Sequence, residues 1–97
     1  MKRYRIYTED IKGTEDIVKD FFDSFTIISA IGVWQDGVEK AVIIEIITEE
    51  SEAYYKDIVD LAKQIKKKNK QQGVLYTSEE VIAGYVREER GKIIVER

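Results

Sequence analysis

Polar and apolar residues alternate from position 3 to 9. Tyr4, Ile6 and Thr8 fall on one side, and Arg3, Arg5 and Tyr7 on the other. A period of two predicts a half-buried strand. Asp10 to Gly13 reads as a turn, with Thr14 as N-cap and Glu15 and Asp16 in the first helical turn, where the dipole favours negative charge. Ile17, Val18, Phe21, Phe22 and Phe25 then recur at helical spacing, predicting a short first helix over 14–24. From Phe25 to Trp34 the pattern turns β-rich. Asp36-Gly37 separates this run from a second, Val38 to Thr48, and Asp-Gly is a strong hairpin signal. Val42, Ile43, Ile44, Ile46 and Ile47 put apolar side chains on both faces of the return strand, as expected of a central strand covered on two sides.

Thr48 to Glu52 opens a second helix with the stripe Tyr54, Ile58, Leu61, Ala62 and Ile65. Its acidic start and its finish at Lys66, Lys67, Lys68, Asn69 and Lys70 both suit the dipole. Val74 to Thr77 reads as a fourth strand, which Val81 to Val86 continues after a bulge or turn. Arg90-Gly91 turns into a last short strand, Lys92 to Val95. The order β-α-β-β-α-β predicts an α+β fold, a ferredoxin-like sandwich with a C-terminal β extension, as one domain over 1–97. Such a sandwich leaves one sheet face bare. Ile28, Ala30, Trp34, Ile43 and Ile47 or their neighbours would lie on it, and an apolar face of that size points to association. A homodimer or homotrimer, built on this face or on the C-terminal hairpin, is therefore expected.

Composition sharpens this picture by exclusion. The 97 residues hold 15 Ile and 9 Val against 2 Leu, a β-branched bias that suits sheet. There is no Cys, His or Pro, so disulfides, thiolate chemistry, imidazole bases and the usual transition-metal ligands drop out. The net charge of −3 argues against nucleic acid as a partner. No apolar run reaches the length of a membrane span, and the start carries no apolar leader, so a cytoplasmic protein is expected.

Few residues then remain as candidate sites. Trp34, beside a glycine-bearing hairpin, suits an interface anchor better than a ligand stack, and a structural role is plainer than either. Glu45 sits inside an apolar strand, where an ion pair with Arg or Lys is the simplest account. Glu39 shares its face, but strand rise puts the two about 20 Å apart, too far for joint acid–base work. Lys66, Lys67, Lys68 and Lys70 could contact an anion, although a solvated helix end explains them. No GxGxxG or P-loop occurs, so no cofactor is expected, and the serines lack a histidine partner.

The stretch from Trp34-Gln35-Asp36-Gly37 to Thr48 resembles, in layout, CutA and the PII-like regulators, where a Trp-x-Gly hairpin precedes a strand and the second helix. That resemblance implies a trimeric ferredoxin-like protein. The chain departs from CutA in lacking Cys, His and a His-Pro-Tyr-like segment, so metal binding is not carried over. Phe25 to Ile28, Gly32-x-Trp34, Ile43 to Ile47 and Gln72 to Thr77 are also similar to small proteins of phages, archaeal viruses and mobile elements, which implies an accessory role. The resulting expectation is a non-enzymatic oligomeric module that binds a protein partner or small effector, with Trp34, Glu45, Ile43 and Ile47 near its interface. A nucleic-acid-associated regulator and a small enzyme stand behind it as alternatives. The enzyme reading requires a pocket holding a carboxylate or lysine of strongly displaced pKa.

Overall fold

The computed structural model describes residues 1–35 and 37–96. Six strands and two helices follow in the order β1 (Lys2–Glu9), α1 (Thr14–Lys19), β2 (Thr26–Trp34), β3 (Gly37–Thr48), α2 (Glu52–Lys68), β4 (Leu75–Glu80), β5 (Tyr85–Glu89) and β6 (Lys92–Glu96). The fold is α+β. The first four strands form one sheet in the order β2-β3-β1-β4, every neighbouring pair antiparallel. Each helix therefore links two strands that have a third strand between them.

The alternation along β1 sets the two faces. Tyr4, Ile6 and Thr8 are buried on the helix side, where β3 adds Val42, Ile44, Ile46 and Thr48. Against them α2 lays Ile58, Leu61 and Ile65, all fully buried, and α1 adds Val18. Ser51 caps α2, its hydroxyl oxygen accepting from the Tyr54 N–H at 3.0 Å. Farther along, Tyr55 meets β4 through a 2.9 Å hydroxyl–hydroxyl bond to Tyr76, the rings edge to face. Tyr54, expected in the buried stripe, is instead 41% exposed.

Helix α1 stops at Lys19, well short of the expected 24. Asp20, Asp23 and Ser24 follow, poor helix formers whose negative charges oppose the dipole at this end. Unwinding there lets Phe22 be buried while Phe21 and Phe25 pack on the core edge. The N-cap is Gly13 in the left-handed region (φ 96°), not Thr14. Thr14 is buried inside the helix and its hydroxyl donates back to the Ile11 carbonyl at 2.9 Å. Of the expected Asp36-Gly37 turn, Asp36 lies outside the described residues.

Strand β3 is central, between β2 and β1, but helices cover only one of its faces. On the other, Arg5 grips Glu45 with Nε and Nη2, each 2.9 Å from Oε2, and Arg3 pairs with Glu79. Ile43 is half-buried there and Ile47 is exposed. The C-terminal segment departs most from expectation. Val81 to Val86 does not prolong β4. Residues 81–84 are irregular, and β5 and β6 form a second, two-stranded sheet. Arg90 (φ 52°) and Gly91 (φ 77°) close that hairpin with the two positive φ angles of a type I′ turn. The chain is elongated, 52 × 27 × 23 Å, with a radius of gyration of 15.5 Å against about 13 Å for a compact 100-residue domain.

With so small a core, truncating Leu61 to alanine should cost about 2–5 kcal/mol. Ile82→Ala, at a side chain 99% exposed, should stay within about 0.5 kcal/mol of wild type. Urea denaturation followed by circular dichroism compares the two, and equal losses would contradict the placement of the core.

Candidate functional site

Where β1 ends, the open sheet face rises into a cavity of about 520 Å³, within the range of ligand sites. Tyr7 and Glu9 enter from β1, Trp34 from the end of β2, and Val38 and Glu39 from the start of β3. Leu75 closes one side, and the segment Lys70 to Gly73 closes the rim. The registers bring Tyr7, Glu9, Trp34, Glu39 and Leu75 to the open face, and Val38, opposite Val33, borders the cavity from the other face. Tyr7 stands opposite Leu75, Glu39 opposite Gly32, and Trp34 opposite Gly37.

The rim is fixed from behind. Asn69 Nδ2 donates to Thr8 Oγ1 at 3.1 Å, and that buried hydroxyl donates to Gln71 Oε1 at 2.7 Å. Helix α2 ends with the Gln71 N–H on the Lys66 carbonyl at 3.1 Å, which puts Lys70 at φ 52°. A glycine would adopt that conformation without cost, whereas a lysine loses about 1–2 kcal/mol. The backbone strain and the lysine both sit on the cavity rim.

On the floor, the Trp34 indole N–H donates to Glu39 Oε1 at 2.5 Å. Gly32 makes room for this contact, because a Cβ there would lie 3.0 Å from the indole nitrogen and 3.4 Å from Glu39 Cγ. Desolvation raises the Glu9 carboxyl above its ordinary pKa, and the Glu39 charge and a hydrogen bond between the two carboxyls raise it further. An anionic pair beside an exposed indole and a tyrosine suits a cationic ligand with an aromatic part. Among the described residues no group of three or more metal-ligating side chains occurs, and no helix is long and apolar enough to cross a membrane.

The candidates taken from the sequence divide. Trp34 and Lys70 line the cavity. Glu45 is engaged with Arg5, while Ile43 and Ile47 share the open face outside the cavity lining. Lys66 borders a small groove between α2 and β4, and Lys67 and Lys68 close the last turn of α2. Sequence reasoning missed Glu9, and it set Glu39 aside. The partner of Glu39 is Glu9 on another strand, and only the β1–β3 register, Glu9 opposite Ala41, brings them near. No local pattern signals that register.

No family model and no curated protein matches the chain. Among solved structures, it is similar to a phage SAM lyase in complex with S-methyl-5'-thioadenosine, with a TM-score of 0.64 and 20% identity over 97% of this chain and 87% of that one. A phage SAM lyase in apo state gives a TM-score of 0.62 and 20% identity, over 97% of this chain and 86% of that one. This likeness overturns the expectation of a non-enzymatic binding module, since the fold shared along nearly the whole chain is that of an enzyme. The expectation had rested on the missing Cys and His, and carboxylates were dismissed because Glu39 and Glu45 stand apart.

Glu9 also predicts a pH effect. Because folding raises its pKa, the stability it contributes is full below its ordinary value of 4.5 and is lost as pH rises through the raised one. Relative to Glu9→Gln, the wild type should therefore lose stability as pH rises from 4.5 through the raised pKa. Urea midpoints of both proteins across that range measure this, and parallel curves would refute the carboxyl pairing.

Proposed function

We propose that the chain is a lyase acting on SAM (S-adenosylmethionine), built on a ferredoxin-like βαββαβ sandwich, with the Glu9–Glu39–Trp34 cavity as its site. The observation that carries this reading is the likeness to phage SAM lyase along 97% of the chain. The cavity supports it, since anionic, aromatic and polar groups converge at one end of that fold. The resemblance to small phage, archaeal-virus and mobile-element proteins agrees with an accessory enzyme carried by such an element.

The chemistry suits a chain without histidine. The sulfonium of SAM is already a good leaving group, and the substrate carries its own nucleophile. Its carboxylate attacks Cγ, a C–O bond forms, and the Cγ–S bond breaks with its electron pair passing to sulfur. The products are the neutral thioether S-methyl-5'-thioadenosine and homoserine lactone. No proton moves, so no general base is needed. The enzyme's task is to hold the carboxylate in line behind Cγ, and such orientation is worth about 7–11 kcal/mol in favourable cases. In this reading Trp34 and Tyr7 stack on the adenine, Glu39 and Glu9 face the cationic groups, and Lys70 receives the carboxylate end. Positive charge on sulfur disappears in the reaction, so the carboxylate pair holds substrate more tightly than product and favours release.

We also propose that the working form is a homo-oligomer. Ile28, Ile31, Val33, Trp34, Val38 and Ile47, with Tyr85, Val86, Ile93 and Val95 of the C-terminal hairpin, are exposed in the single chain.

The test is incubation with SAM and chromatographic detection of products. S-methyl-5'-thioadenosine and homoserine lactone should appear in equal amounts, and Glu39→Gln should lower kcat/KM about tenfold or more, as expected for one lost charged contact. Absence of turnover together with absence of a thermal shift on adding SAM would overturn the assignment.

A further inference from the structure

The β5–β6 hairpin has two unlike faces. On one, Arg87 bridges Glu89 at 2.6 Å and Glu96 at 2.9 Å, so its charges are satisfied within the hairpin. The other face is made of two cross-strand pairs, Val86 with Val95 and Glu88 with Ile93. Its three aliphatic residues are 63–67% exposed. A lone two-stranded hairpin is marginally stable in water, and neither strand is hydrogen-bonded into the main sheet. This face therefore lacks a cover.

A second uncovered strip lies at the far end of the β2–β3 ribbon. Here too there are two cross-strand pairs, Ile31 with Lys40 and Val33 with Val38. They continue the helix-side face past the point where helices shield it, and Ile31, Val33 and Val38 are 71–74% exposed. The two strips match in composition. Each holds three β-branched aliphatic residues and one charge, Lys40 on the ribbon and Glu88 on the hairpin. Neither charge belongs to a salt bridge among the described residues.

We propose that the apolar face of the β5–β6 hairpin docks on the Ile31–Val33–Val38 strip of a second copy of this chain, with Glu88 paired to Lys40 of that copy. Matched aliphatic surface supplies the driving force, and the opposite charges set the register and reject a hairpin-to-hairpin or ribbon-to-ribbon pairing, which would bring like charges together. The two patches differ, so each copy both gives and receives, and association closes when every hairpin is seated. Val38 also lines the candidate cavity, so a seated hairpin borders that site.

This surface rests on the homo-oligomer reading above and adds the contact that forms it. Light scattering of the full chain over a range of concentrations should give a multiple of 11.3 kDa. Lys40→Glu and Glu88→Lys should each weaken association tenfold or more, and the double variant K40E/E88K should restore it. Both positions are exposed, and circular dichroism confirms that each variant is folded. An oligomer untouched by the single changes, or one the double variant fails to restore, overturns this surface and leaves the oligomer reading standing. A monomeric wild type overturns both.

Discussion

The structure depends on one contact layer, the isoleucines of β1 and β3 against the buried stripe of α2. Ile6, Ile44 and Ile46 meet Ile58, Leu61 and Ile65 with no solvent exposure to speak of. Burying such side chains is worth about 1.5–3 kcal/mol each, and little else in a chain this short provides comparable stabilisation. Because α1 is only six residues long, α2 must do most of this covering. The consequence is a sheet finished on one side and over part of its length. The open face, the tip of the β2–β3 ribbon and the C-terminal hairpin are then free of packing duties, and the chain's charged and aromatic residues gather there.

The two-layer order was legible because each main element carries its own period. β1 alternates, α2 has a stripe with a capping serine, and β3 has an unbroken apolar run, so these three appear within a few residues of their observed limits. The failures came where tertiary contacts override local pattern. Helical spacing of Phe21, Phe22 and Phe25 extends α1 on paper, yet the core accepts these rings only when the helix ends at Lys19. Val81 to Val86 reads as strand from β-branched content alone, but a strand needs a neighbour, and nothing local reveals that residues 81–84 pair with none and that the hairpin stands apart from the main sheet. The same limit hid the candidate site. Trp34 and Lys70 attract notice by type, whereas Glu9 gains meaning only from Glu39 across the sheet.

The carboxyl pair also explains why exclusion by composition misled. A missing histidine removes the commonest general base near neutrality, and that absence favours a binding role on composition alone. The reaction now proposed needs no base, because substrate supplies nucleophile and leaving group together. What it asks of the protein is charge and shape held still. Two carboxyls, an indole N–H that fixes one of them, and a glycine that admits the indole meet that demand with residues of no catalytic reputation.

Two local costs converge on this one cavity. Glu9 is held where desolvation and a neighbouring carboxylate oppose its ionisation, and Lys70 is held in a backbone conformation that glycine would adopt more easily. Neither arrangement helps the chain fold. A protein with one small core has little stability to set against such costs, and both fall at the rim and floor of a single cavity. Lys70 in particular is placed by the same Schellman-type ending that fastens Gln71 to Thr8. Replacing the strained lysine with glycine would relax the turn yet remove the cation that the turn presents to the cavity.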